Sequence, residues 1–111
     1  MIRIEAVWLA VAPIDMRAGT DAALAKVVAV FGAARPHHAY LFTNRRANRL
    51  KVLVHDGFGL WLCARRLYQD RFVWSNSGVH GRLEITREQL DALVIGLAWQ
   101  RVGRENLIAL V

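Results

Sequence analysis

Apolar positions along this 111-residue chain fall into blocks whose spacing changes from one block to the next, and each change marks an element. Glu5 to Val11 is rich in Val, Trp and Leu and is stopped by Pro13, which predicts a first strand. Leu24, Val27, Val28 and Phe31 then recur at i, i+3, i+4 and i+7, the stripe of a helix with Thr20 or Asp15 to cap it and Gly32 to end it. Ala39 to Thr43 predicts a second strand. Arg49 to His55 predicts a third, in which Leu50, Val52 and Val54 alternate with Arg49, Lys51, Leu53 and His55. Between them, Asn44-Arg45-Arg46-Ala47-Asn48 has the two Asn and the length of a hairpin loop.

Asp56-Gly57 followed by Gly59 signals another turn, so Leu60 to Leu67 is expected to return antiparallel to the third strand, with a helix as the competing reading. Gln69-Asp70 turns again, Arg71 leads out of it, and Phe72-Val73-Trp74 predicts a short fifth strand. After the polar loop Ser75 to Gly81, Arg82 to Ile85 predicts a last short strand. Thr86 with Gln89 three residues later has the spacing of a capping box, and Leu90, Leu93, Val94 and Leu97 continue as the stripe of a second helix. The chain ends in Leu107-Ile108-Ala109-Leu110-Val111. This order implies one α+β domain over residues 1–111: a meandering antiparallel β-sheet with two main helices packed on it, the basic hairpin its most exposed element.

Composition removes several classes. The chain is 55% hydrophobic with only 8 Gly and 2 Pro, which excludes a disordered or collagen-like chain. No apolar run approaches the roughly 20 residues of a membrane-crossing helix. The run Ala6 to Ala12 is at the bottom of the length range of a signal peptide, Glu5 stands where only positive charge is usual, and Pro13 with Asp15 reads as a strand ending in a turn, so no signal peptide is expected. A single cysteine, Cys63, cannot form an internal disulfide, so a reducing cytoplasm is expected, with Cys63 a small core residue inside the apolar run Leu60 to Ala64.

The net charge of +6 is not evenly spread. Residues 1–34 balance to zero and residues 83–111 to −1. From Arg35 to Arg82, nine cations (Arg35, Arg45, Arg46, Arg49, Lys51, Arg65, Arg66, Arg71, Arg82) face only Asp56 and Asp70, an excess of +7. Such a concentration suits a polyanion, and arginine's planar fork matches phosphate oxygens. GC-rich coding accounts for thirteen Arg against two Lys, but not for their place in the chain.

A search for chemistry finds little. Gly57-Phe58-Gly59 stops short of both phosphate-loop and dinucleotide fingerprints. Asp15, Asp56 and Asp70 are the only candidates for a metal-dependent nuclease, and Asp56 is accounted for by its turn. His37 and His38, adjacent on an extended segment, point to opposite faces and cannot chelate one ion, and His55-Asp56 as a nuclease pair competes with strand-end and turn roles. Neither a metal nor a cofactor is expected.

Pro13-Ile14-Asp15-Met16-Arg17, the segment Leu41 to Leu53, Asp56-Gly57-Phe58-Gly59-Leu60-Trp61-Leu62, Arg65-Arg66-Leu67, Arg71-Phe72-Val73-Trp74 and Thr86-Arg87-Glu88-Gln89-Leu90 form an ordered set. From about Val7 to Trp99 that set resembles the small accessory protein TnpB of bacterial insertion sequences of family sixty-six. The resemblance implies a protein encoded beside a separate transposase and needed for transposition, without the strand-transfer carboxylates. The larger RNA-guided nucleases of the same name have zinc-binding cysteines that this chain lacks. Family positions carry over to Asn44, Arg45, Arg46, Arg49, Leu50 and Lys51, and to Arg65 and Arg66.

The expected nucleic-acid-binding set is therefore Asn44, Arg45, Arg46, Arg49, Lys51, Arg65, Arg66 and Arg71, contacting DNA or RNA phosphates. A rival is an adaptor whose sheet edge, apolar tail or exposed Trp docks on the transposase of the same element or on a second copy of the chain.

Overall fold

The computed structural model describes residues 3–101, so the apolar tail Leu107 to Val111 lies outside the described residues. Five strands form one sheet: β1 (Ala6–Ala10), β2 (His38–Thr43), β3 (Arg49–His55), β4 (Leu60–Arg66) and β5 (Arg82–Ile85), in the order β4-β3-β2-β1-β5. Helices α1 (Thr20–Phe31) and α2 (Arg87–Val94) complete the α+β architecture.

The sheet is mixed rather than wholly antiparallel. β2, β3 and β4 form the expected meander, and β5 pairs antiparallel with β1. β1 and β2 run parallel, with Val7 opposite Ala39 and Leu9 opposite Leu41, because α1 connects them as a crossover; parallel neighbours cannot be joined by a hairpin.

The two helices lie over opposite faces. Val7, Leu9, Ala39, Leu41, Leu50 and Val54 pack with Leu90 and Leu93 of α2. Ala10, Tyr40, Phe42 and Leu53 pack with Val27 of α1, with Leu24 and Phe31 at the margin. β1 and β2 are thus apolar on both sides, and α1 also covers the middle of β3, which is why Leu53, assigned by alternation to the polar face of β3, is fully buried while Arg49, Lys51 and His55 on that face are not.

Local sequence explains where the helices start and stop. Thr86 Oγ1 accepts from Gln89 N at 3.1 Å while Gln89 Oε1 accepts from Thr86 N at 2.8 Å, the reciprocal capping box expected for α2. At α1 neither Thr20 nor Asp15 caps: the N-cap is Gly19, with no side-chain bond, and Asp15 is committed to Arg17. Gly32, at φ 87°, ends α1 as expected by taking a positive-φ turn that L side chains rarely adopt.

Three expectations are corrected by what covers each position. Val28 is 48% exposed and Leu97 54%, because the stripe of α1 that meets the sheet is centred on Ala23 and Val27, and α2 ends at Val94. Phe72-Val73-Trp74 forms no strand, yet Phe72 is buried and Trp74 Nε1 donates to Ala10 O at 2.9 Å, so these residues close the α2 layer as an irregular segment. Trp99, also buried, donates from Nε1 to Val73 O. Cys63 is exposed, because β4 is an edge strand with little packed over it. Among the described residues no helix is long and apolar enough to cross a membrane.

If Phe72 is a core residue despite lying outside any strand, Phe72→Ala will lower stability by about 3–5 kcal/mol in urea unfolding. Val28→Ala, in the predicted stripe but facing water, will stay within about 0.5 kcal/mol of wild type.

Candidate nucleic-acid interface

The turn between β2 and β3 is built by Asn44. Its Oδ1 accepts from the backbone N–H of both Asn48 and Arg49 at 3.0 Å, its Nδ2 donates to Asn48 Oδ1 at 2.7 Å, and its carbonyl accepts from Ala47 N at 3.0 Å. Ala47 sits at φ 57°, a left-handed residue completing the reversal. Asn44 is therefore a scaffold residue. Its side chain spends its polar atoms on the turn, and its contribution is to hold Arg45 and Arg46 outward, both exposed.

Two further stretches of chain are tied to this turn by their backbones. Leu67 N donates to Asn48 O at 2.9 Å, and Phe72 N donates to Ala47 O at 2.6 Å. These bonds bring the end of β4, with Arg66, and the residue before Phe72, Arg71, to the same end of the sheet as Arg45 and Arg46. Arg71 is exposed.

Register decides the rest. Arg49 and Arg66 are directly opposite one another across β3 and β4, on the face that carries α1. Like charges in that position repel, and no carboxylate pairs with either among the described residues. Arg65 is opposite Leu50 and so points to the other face, that of α2, beside exposed Cys63 and half-exposed Trp61. The basic pair Arg65-Arg66 is thus divided between two faces, as neighbours in a strand must be. A cavity of about 280 Å³ lies at this end of the sheet, bounded by Met16, Arg49, Lys51, Ala64, Arg65 and Arg66 among others.

Lys51 differs from the arginines. Its Nζ reaches the carbonyl of Ala18, pinning the segment that leads into α1 onto β3, and the side chain is only partly exposed. Nearby Asp15 is held at a pKa of about 2, chiefly by hydrogen bonds from the side chain and backbone of Arg17, with Lys51 a smaller contribution. The set expected from sequence therefore separates: Arg45, Arg46, Arg49, Arg66 and Arg71 converge, Arg65 leaves β4 on the opposite face though it borders the same cavity, and Asn44 and Lys51 serve the framework. The hairpin is also not the most exposed element. Its strands are largely buried, and β4 is the open one.

The other candidate residues have local roles. Asp56 Oδ1 accepts from Phe58 N at 2.8 Å and Gly59 N at 2.7 Å, and Oδ2 accepts from Trp61 Nε1 at 2.7 Å. These bonds, the backbone ones foremost, lower its pKa. His55 Nδ1 accepts from Gly57 N at 3.0 Å in the same turn. His37 is left-handed at φ 63° rather than extended, while His38 opens β2 and accepts from Trp8. Among the described residues no three His, Cys, Asp or Glu side chains gather where a metal ion could be held.

A second cavity, missed by the sequence reading, is lined by Trp8, Phe31, Arg35, His38, Tyr40 and Arg82. Nothing local pointed to it, because its residues come from four separate elements and loops.

The family model described as IS66 Orf2 like protein, TnpB_IS66, matches residues 5–104. Among curated proteins, two uncharacterized proteins of Sinorhizobium fredii are similar. The protein y4hO is 34% identical over 95 residues, 85% of this chain and 82% of that protein. The protein y4jC is 30% identical over 101 residues, 89% of this chain and 85% of its own. No solved structure matches.

The separation of roles is measurable. Lys51→Met keeps the aliphatic stem but loses a charged hydrogen bond, and will cost about 1.5–3 kcal/mol in urea unfolding. Arg66→Ala relieves a like-charge contact and will leave stability unchanged or raise it by about 0.2–1 kcal/mol.

Proposed function

Because the chain belongs to the IS66 Orf2-like family of insertion-sequence proteins, we propose that it is a non-catalytic accessory protein of transposition that grips nucleic-acid phosphates with the hairpin end of its sheet. The observation carrying this reading is the apposition of Arg49 and Arg66 on one face with no acidic partner among the described residues. An uncompensated arginine pair costs the free protein stability, and a phosphate between the two guanidinium groups turns that repulsion into two charge-assisted contacts. Arg45, Arg46 and Arg71 extend the cluster around the turn. Such contacts position the protein on a strand without reading its sequence, so little sequence preference is expected from this surface alone.

A second reading is favoured by β4. It is an edge strand with Trp61 half exposed and Cys63 exposed, a template on which a strand of the transposase or of a second copy could pair. Arg65 and Arg66 on that edge oppose indiscriminate pairing, which leaves phosphate binding as the leading function.

With about five cations engaged, log K for duplex DNA will fall against log salt with a slope of roughly −4 to −5. In the triple variant Arg45→Ala, Arg46→Ala, Arg49→Ala the slope will shrink in magnitude by about 2.7. A slope near zero for the wild type overturns the reading. Pull-down of the transposase that survives the triple variant and is lost on Trp61→Asp supports the adaptor instead.

A further inference from the structure

The face that carries α1 holds a cavity over the β1 and β5 side of the sheet, across β2 from the strands that carry Arg49 and Arg66. Its volume is about 260 Å³, and its walls come from β1, β2, β5 and the end of α1. Three aromatic rings make one side: Phe31 stands 4.9 Å from Tyr40 and 6.1 Å from Trp8 between centroids. The indole of Trp8 donates from Nε1 to Nδ1 of His38 at 3.0 Å, and the two rings stack with planes 19° apart. An Nδ1 that accepts carries no proton, so the imidazole of His38 has its N–H at Nε2, where it is a donor.

Arg35 and Arg82, the first and last of the nine cations in the middle third of the chain, meet at this cavity. Arg82 Nη1 donates to Phe31 O at 3.3 Å, tying β5 to the end of α1, and its remaining N–H groups have no acceptor among the described residues. The hydroxyl of Tyr40 is already committed, accepting from Arg35 N at 2.8 Å and donating to Ala33 O at 3.1 Å. No carboxylate lines the cavity. Glu84, opposite Trp8 on β5, lies outside the lining.

Donors without acceptors, set beside flat apolar walls, select an anion joined to a planar ring. We propose that this cavity binds a nucleoside monophosphate unit, its base against Trp8 and Phe31 and its phosphate on Arg35, Arg82 and the Nε2–H of His38. Guanidinium forks match phosphate oxygens in pairs, and an aromatic wall accepts the face of any base. The volume lies just below the range of about 300–1,000 Å³ of ordinary ligand sites, which suits one nucleotide and excludes a longer stretch of strand. That unit is either a free nucleotide or the 5′-terminal nucleotide of a strand. The cavity shares no residue with the hairpin cluster, so its occupancy is independent of what the hairpin touches.

The test is an NMR titration of the full chain, read at the Trp8 indole N–H, which is assigned by its loss in Trp8→Phe. Adenosine 5′-monophosphate will shift that signal saturably and bind at least tenfold more tightly than either adenosine or inorganic phosphate. Arg35→Glu, at an exposed position, will weaken binding tenfold or more, whereas the triple hairpin variant will leave it unchanged even as its duplex binding weakens. Equal affinity for inorganic phosphate, or no effect of Arg35→Glu, overturns the proposal. In the triple-variant background, a 5′-phosphorylated single-stranded hexamer that outcompetes both the monophosphate and its 5′-hydroxyl counterpart assigns the site to strand ends. Weaker binding of the hexamer than of the monophosphate assigns it to the free nucleotide.

Discussion

The parallel pairing of β1 with β2 governs the rest of the molecule. Two parallel neighbours need a crossover, and α1 supplies it by lying over one face of the sheet. With α2 over the other face, β1 and β2 must be apolar on both sides, and their near-continuous runs of Val, Leu, Tyr and Phe are the consequence, while β3, one strand nearer the edge, is apolar toward α2 and mixed toward α1. Polar side chains are then largely confined to β3, the two edges and the two ends of the sheet. A chain with six surplus positive charges and two inner strands closed to them has few places to put them.

That confinement explains why cations scattered through the middle of the sequence gather at only two locations. Those near the hairpin are pulled together by backbone bonds from Leu67 and Phe72 to the turn, which fold the end of β4 and the segment after it back onto Ala47 and Asn48. Lys51 lies too far inside β3 to remain at the rim and is absorbed into the framework by Ala18. The opposed arginines Arg49 and Arg66 are the unsatisfied remainder. Their repulsion is small beside the packing of a two-sided sheet, so the fold tolerates it, and under the proposed function that energy would be recovered on binding a polyanion.

Much of this was legible in the sequence. The limits of β3, the capping box of α2, the stop at Gly32 and both turns of the meander follow from residue type and spacing, because each is a local arrangement. What was not legible depends on neighbours distant in sequence. Val28 satisfies the helical period as well as Val27 does, and only the position of the sheet decides which is covered. Phe72-Val73-Trp74 has the composition of a strand, yet its backbone finds no partner strand, and its side chains are used as core filling. Cys63 reads as core in an apolar run, but the run lies on an edge with no layer above it. Arg65 and Arg66 look like one site and are separated by the alternation of a strand, which becomes visible only when both faces are known. The cavity of Arg35, His38 and Arg82 carries no local signal at all.

Both basic locations share the α1 face, and this sets how they can act together. β2 runs from one to the other, with His38 at the cavity and Thr43 leading into the turn, so five steps of about 3.3 Å place these two residues about 17 Å apart. No single nucleotide spans that distance, and no side chain belongs to both sites. Losses of free energy at sites this far apart, with no shared partner, add rather than couple. Any cooperation between them must therefore come through the ligand: a strand whose end enters the cavity while its backbone crosses the face toward Arg49 gains an intramolecular second contact, and a free nucleotide does not. The sheet, rigid because both faces of its inner strands are packed, would act as the ruler that fixes that span.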